Sequence, residues 1–309
     1  MDTIYLREAD RLEVTVLIDN YTDIFMSQNK DVDKRLSPSK PILAEHGLSC
    51  IIKVYSGSEE YLILMDTGMS SKCFFNNISA LNIDINKIDS VILSHGHFDH
   101  IGGIVEFFDQ VSREIPLILH PEAFLERRLN NPSVGPSEVP ILNENDLKNT
   151  GAKIIKSKGP YTLASGLIGL TGEVERTTIF EQGFPWAEAK INGEWIVDPF
   201  KDDQAIIIKL KDKGLVIISG CAHAGIINTI NYSKKITQTE NVLAVLGGFH
   251  LTGPLFKQII SPSIEEMKKI NPDYVVPMHC TGWDAINQFK EEMPDNVIIN
   301  TVGTTYIFE

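Results

Sequence analysis

The chain has 309 residues, 43% hydrophobic and 22% charged, with a formal net charge of −13. This is an ordinary globular composition, and its acidity excludes the clustered Lys and Arg on which nonspecific nucleic-acid binding depends. A small anionic substrate is not excluded, because a local pair of metal cations reverses the field inside a cleft. Asp2, Arg7, Glu8, Asp10 and Arg11 interrupt any apolar leader, and no run reaches the ~20 apolar residues of a membrane helix. The chain therefore reads as cytoplasmic, with no membrane partner. Cys50, Cys73, Cys221 and Cys280 form no C-x-x-C pair and read as free thiols in a reducing compartment.

Taken in chain order, residues 12–18 start with strand-type alternation. A polar stretch over 23–41 reads as a loop with or without a short helix. Residues 49–55 and 61–65 read as a hairpin turned at 56–59, and the second strand runs into Asp66, Thr67 and Gly68. A helix is expected over 70–81, with Ser70 or Ser71 as N-cap. The apolar run 90–93 reads as a strand, 104–111 as a helix and 117–119 as a buried strand ending at His120. The stretch 121–199 is irregular, with a strand-like piece at 166–170, and reads as an elaboration or lid beside the main body. Regularity then returns. A hairpin is expected over 205–210 and 215–218, turned at 211–214. A helix follows over 226–236, a strand over 242–246, and a helix over 262–270 with Ser261 as N-cap and Pro262 at its first position. The remainder reads as a strand at 274–276, a helix over 283–292, and strands at 297–299 and 304–308.

The chemistry concentrates at the end of the 90–93 strand. Ser94-His95-Gly96-His97-Phe98-Asp99-His100 is followed by Gly102 and Gly103. His95, His97, Asp99 and His100 can each bind a metal ion, and they sit where α/β enzymes place their chemistry, in a loop between strand and helix. One such loop can supply ligands to two transition-metal ions if other loops complete the shells. Seven of the eight histidines follow or lie within such strand-end loops: His95, His97, His100, His120, His223, His250 and His279; His46 is the eighth.

The run matches the H-x-H-x-D-H signature, and the chain is identified as a member of the metallo-β-lactamase superfamily. Further segments resemble its dihydropteroate-synthase-like branch: Asp19-Asn20, Glu45-His46-Gly47-Leu48-Ser49, Asp202-Asp203-Gln204-Ala205, Ser219 through Ile226, and Gly247-Gly248-Phe249-His250-Leu251. The resemblance spans about residues 12–308 and is weakest over 121–199. It implies an α/β fold, a four-layer αβ/βα sandwich of two mixed sheets flanked by helices, as a single domain over 1–309. It implies two divalent metal ions, zinc first, with manganese or iron as alternatives. His95, His97 and His223 would hold one ion; Asp99, His100 and His279 would hold the other.

One departure stands out. Many members carry Gly-Asp at the strand end where this chain has Gly220-Cys221. The thiolate of Cys221 would bridge the metals, since zinc accepts sulfur, or Cys221 is a buried small hydrophobe. Asp202 and Asp203 are weaker ligand candidates. Asp66 is expected to orient the histidine loop, to form an Asx-turn, or both. His250 is expected on the substrate side, with Asp99 as the second catalytic residue; His46 and His120 are lesser candidates. Phe98, Trp186 and Phe249 are candidate stacking rings.

The implied activity is hydrolysis of a small anionic or phosphorylated ester by metal-activated water. The alternatives are transfer of a dihydropterin-methyl group from its diphosphate to a ribofuranosyl-aminobenzene phosphate, or an iron-binding redox or ligand-binding protein. The partner is a small molecule. The sequence leaves the oligomeric state open.

Overall fold

The computed structural model describes residues 3–26, 32–34 and 39–309. Part of the polar stretch expected over 23–41 lies outside the described residues; within it, Val32–Lys34 is a short edge strand.

Runs that are apolar on both faces drive the architecture. In Ala205–Leu210, Ile206, Ile208 and Leu210 enter the core between two sheets, while Ala205 and Ile207 face helices on the other side. In Glu59–Met65, Ile63 and Met65 point to the shared core and Leu64 points outward. A strand covered on both faces needs such continuous hydrophobicity, and the two-residue side-chain period divides it between two cores.

The first sheet has eight strands. Their order is Ala152–Lys156, Ile115–Leu119, Ser90–Ile92, Glu59–Met65, Ser49–Ser56, Arg11–Ile18, Thr304–Phe308 and Val32–Lys34. The first four pair in parallel and the rest antiparallel. The second sheet runs Tyr161–Leu163, Ile168–Leu170, Ala205–Leu210, Gly214–Ser219, Val242–Gly248 and Tyr274–Met278, with Glu8–Ala9 beside Ala205–Leu210. Its last three strands are parallel. Helices Ser71–Ala80 and Ile104–Gln110 cover the first sheet. Helices Ile226–Thr237, Lys257–Ile270 and Trp283–Glu292 cover the second. The expected four layers are present. Among the described residues no helix is long and apolar enough to cross a membrane.

Two local expectations fail. The helix expected at 262–270 begins at Lys257, so Ser261 does not cap it and Pro262 lies inside. Ile260, Ile264 and Met267 form one buried stripe at i, i+4, i+7, and burying Ile260 pulls the helix back a turn past the proline. The strand expected at 297–299 is only an isolated bridge between Val275 and Val297. The stretch 121–199 divides. Ala152–Lys156, Tyr161–Leu163 and Ile168–Leu170 join the main sheets, while Arg127–Asn131, Gly135–Glu138, Ala187–Ile191 and Glu194–Val197 form a separate four-stranded antiparallel sheet.

Parallel strands in both main sheets end at one edge. Met65 is followed by Asp66, Ile92 by the histidine loop, Ser219 by Gly220 through His223, Gly248 by His250, and Met278 by His279. In open α/β sheets the crevice beyond the carboxyl ends of the strands is where ligands bind.

Candidate metal centre

Strand ends that turn into a shared crevice must bend abruptly, and the backbone records it. Asp66, Phe200, Ala222, His250 and His279 all have φ between 46° and 56°. Left-handed conformations at residues other than glycine cost of order 1–3 kcal/mol each and cluster where function needs them. Gly96, between two histidines, meets a different demand. A Cβ there would lie 2.0 Å from the Ala123 carbonyl oxygen. Gly96→Ala should therefore cost roughly 1–3 kcal/mol of stability through overpacking, read in urea unfolding, and should lower metal content; unchanged unfolding and metal content would refute this account of the His-Gly-His spacing.

The bends bring seven candidate ligands into two groups. His95, His97 and His223 form one, and Asp99, His100, His279 and Cys221 the other; within each group the ligand atoms all lie within 4.8 Å of one another. Nε2 of His223 lies 3.1 Å from Nδ1 of His97. In the second group Asp99 Oδ2 lies 3.2 Å from His279 Nε2 and 3.9 Å from His100 Nε2, and His100 Nε2 lies 3.2 Å from Cys221 Sγ. Cys221, His223 and His250 form a third, overlapping group.

Hydrogen bonds on the far side of each ring decide which nitrogen is free. The Ser94 hydroxyl donates to Asp66 Oδ2 at 2.6 Å and lies 2.9 Å from His95 Nδ1. With its hydrogen committed to Asp66, Ser94 must accept from His95 Nδ1–H, which leaves His95 Nε2 as a bare lone pair. That atom is buried without a partner. His100 Nδ1 is 2.7 Å from Asp66 Oδ2. Asn20 Oδ1 accepts from the Gly47 amide and lies 3.3 Å from His279 Nδ1. With Nδ1 so engaged, His279 turns Nε2 to the Asp99 carboxylate at 3.2 Å, two candidate ligand atoms side by side in a buried space. Donors so arranged fit a cation.

Electrostatics agree. Burial, then the neighbouring His100 and His97, holds His95 well below the usual imidazole range. Burial and Arg127 bring His97 down to about 3. Burial and His250 hold His223 well down. Three neutral imidazoles are three available ligands. Burial also lowers His100, but Asp66 and Asp99 outweigh it and bring it to about 9. Burial would raise Asp99, yet His100, His279 and His46 keep it well below the carboxylate range.

The superfamily's model matches residues 49–175. The 7,8-dihydropterin-6-methyl-4-(β-D-ribofuranosyl)-aminobenzene-5′-phosphate synthase of Methanocaldococcus jannaschii is 34% identical over 263 residues, covering 84% of this chain and 88% of the relative. The chain belongs to the metallo-β-lactamase superfamily. Its fold agrees. A solved metal-dependent hydrolase of the β-lactamase superfamily has a TM-score of 0.71 at 24% identity, covering 96% of this chain and 98% of its own. The metallo-β-lactamase-fold protein YhfI of Bacillus subtilis gives 0.53 at 16% identity, covering 96% and 99%.

Cys221, the departure noted in the sequence, lies among the second group of candidate ligands. It is 2% exposed and its sulfur faces His100. Cys280 lies beside it, its thiol 3.6 Å from the Cys221 carbonyl. His250 joins the centre through His223, with ring centroids 4.2 Å apart. His46, half exposed, reaches Asp99 Oδ2 at 3.3 Å. His120 accepts from the Glu122 amide in the turn after its strand and joins no ligand group. Phe98 lines the cleft. Phe249 is instead core, packed on Phe289, and Trp186 neighbours Phe184. Asp202 and Asp203 are not in the ligand groups.

Asn20, Ser94, Arg127 and Phe200 are the functional neighbours that sequence reasoning missed. Phe200 stacks on His223 at 4.3 Å and 10° and meets His97 edge-on. Arg127 is 4% exposed between Asp198 and Asp202. Ser94 had a local signal as the residue before the histidine run, and Asn20 was marked in the Asp19-Asn20 segment without a role.

Proposed function

We propose that this chain is a metal-dependent hydrolase of a small ester with an anionic, phosphate-like head and an apolar body. The observation that supports it is the pairing of the two ligand groups with one cleft. That cleft has a volume of about 160 Å³ and is lined by His97, Asp99, Cys221 and His223 at its floor and by Phe98, Leu129, Val139 and Phe184 on its walls. The wall cations Arg127 and Arg128 are already paired with carboxylates, so the anionic part belongs at the floor and the apolar part against the walls.

His95, His97 and His223, and Asp99, His100, His279 and Cys221, would hold divalent ions, which would supply Lewis acidity and a nucleophilic water at neutral pH. The protein's own groups do the rest. Asp99 stays ionised, so its carboxylate can orient a water and accept its proton. His250 stands beside His223 and lines the cleft, placed to contact the substrate and hand a proton to the departing oxygen. Phe200 shields the rings of His97 and His223.

A second reading has one specific support, the 34% identity to the pterin synthase. Here the same floor would hold the diphosphate of a dihydropterin-methyl donor, Phe98 and Phe184 would face its flat ring, and the acceptor would be an aminobenzene ribotide. The test assays wild type and His97→Ala, with melting curves to confirm the fold, on phosphomonoesters, phosphodiesters and the pterin donor with its acceptor. Ester turnover lost in His97→Ala supports hydrolysis. Pterin consumption that requires the acceptor supports transfer. Equal turnover in both proteins defeats both.

A further inference from the structure

Asp202 and Asp203 touch no ligand atom, yet each grips the main chain beside one. Asp202 Oδ2 accepts from the Gly96 amide at 2.8 Å, and Gly96 lies between His95 and His97. Asp203 Oδ2 accepts from the Ala224 amide at 2.8 Å, and Ala224 follows His223. Gln204 adds its amide to the Ser94 carbonyl at 3.0 Å and its side chain to the Leu93 carbonyl at 2.9 Å. All three are at most 3% exposed. The other half of the segment is equally tied. Asp198 accepts from Arg127 Nε at 2.7 Å and from the Phe200 amide at 2.8 Å, and Arg127 Nη2 donates to Asp202 Oδ1 at 2.8 Å.

The three ligands of the first group come from different sheets: His95 and His97 follow Ser90–Ile92, and His223 follows Gly214–Ser219. Nothing in either sheet alone fixes their spacing. We propose that residues 198–204 form a strap that sets this spacing, with Asp202 and Asp203 as positioning residues for the first metal site only. Neither carboxylate bonds a neighbour of Asp99, His100 or His279, whose outer nitrogens and backbone are held instead by Asp66, Asn20 and Asp19. Through Arg127 the strap also reaches the four-stranded sheet that walls the cleft, so substrate wall and first metal site move as one unit. The inference rests on the metal reading given above.

The selectivity makes it testable without turnover. Cobalt(II) or zinc is titrated into chelator-treated protein, following affinity and the cobalt visible spectrum, with His97→Ala to identify the equivalent that belongs to the first group. Loss of a partner behind a ligand typically costs 10- to 100-fold in metal affinity. Asp202→Ala and Asp203→Ala should each weaken that equivalent roughly 10- to 100-fold and alter its spectrum, while the other equivalent stays within about threefold. Asp203→Asn should restore wild-type binding, because its amide oxygen keeps the Ala224 bond and Oδ1 has no partner to lose. Melting curves check folding, and if Asp202→Ala does not fold, the Asp203 pair decides. Two equivalents bound as in wild type, both weakened equally, or Asp203→Asn as poor as Asp203→Ala would each overturn the strap. Wild type that binds fewer than two ions overturns the metal reading itself, and the strap with it.

Discussion

Asp99→Asn should lower turnover by roughly 10²- to 10⁴-fold, the range for loss of a positioned acid–base group, and should release one of two bound ions. Three histidines converge on its carboxylate. Its Oδ2 faces His279 at 3.2 Å, His46 at 3.3 Å and His100 at 3.9 Å. The carboxylate is kept ionised by those three histidines against a burial that favours the neutral acid. An amide of the same shape keeps the packing but removes the charge that offsets a cation and the lone pair that takes a proton. Metal analysis and kcat on whichever substrate the wild type turns over test this together. Both ions retained with unchanged kcat would refute the role; lost stability with unchanged chemistry per folded molecule would reduce Asp99 to a structural group.

The second large effect is that of metal removal on pH dependence. In the metal-free protein, burial, with its neighbouring charges, holds His95, His97 and His223 below their unfolded pKa of 6.5. The unfolded chain therefore takes up protons that the folded chain refuses, and stability falls as pH drops from 6.5 towards about 3, the value for His97. His100 acts in the opposite direction. Its folded pKa is about 9, so its contribution is complete below 6.5 and fades as pH rises through 9. Chelated protein should melt highest near pH 6.5 and lose stability on both sides. Metal occupancy should flatten the profile, because bound nitrogens no longer titrate. At pH 7 the first group binds its ion without displacing an imidazole proton, whereas His100 must release one. Calorimetry in buffers of different ionisation enthalpy reads that proton. A flat apo profile, or the same proton release for both equivalents, would contradict the electrostatics of the site.

The histidine run was legible because its chemistry is local: His95, His97, Asp99 and His100 lie in one loop, and Gly96 between them is demanded by the close Ala123 backbone. Both main sheets were legible for a similar reason, since runs such as residues 205–210 carry burial on both faces in their own composition. His223 and His279 were reachable through the family resemblance and because strand ends converge, which a strand pattern implies but does not measure. Arg127 and Phe200 were invisible, and Asn20 was marked by resemblance without a role, because their importance comes from partners far away in sequence: Asp198 and Asp202 for Arg127, His223 for Phe200, His279 for Asn20. Asp202 and Asp203 were noticed as weaker ligand candidates; both reach main-chain amides, and Asp202 reaches Arg127 as well. Pro262 misled because proline usually starts helices, and here the buried stripe from Ile260 to Met267 outweighed it.

The left-handed residues at the strand ends carry a consequence for how this protein tolerates change. Asp66, Phe200, Ala222, His250 and His279 hold conformations that any relaxed chain would abandon. They persist because the rigid double sheet beneath them leaves the backbone no cheaper path. The catalytic edge thus draws on cohesion generated elsewhere, in a hydrocarbon interior that never meets substrate. Substitutions that thin that interior would blunt the aim of the side chains above it before they unfolded the protein, so the earliest casualty of lost thermal margin would be accuracy of placement rather than solubility.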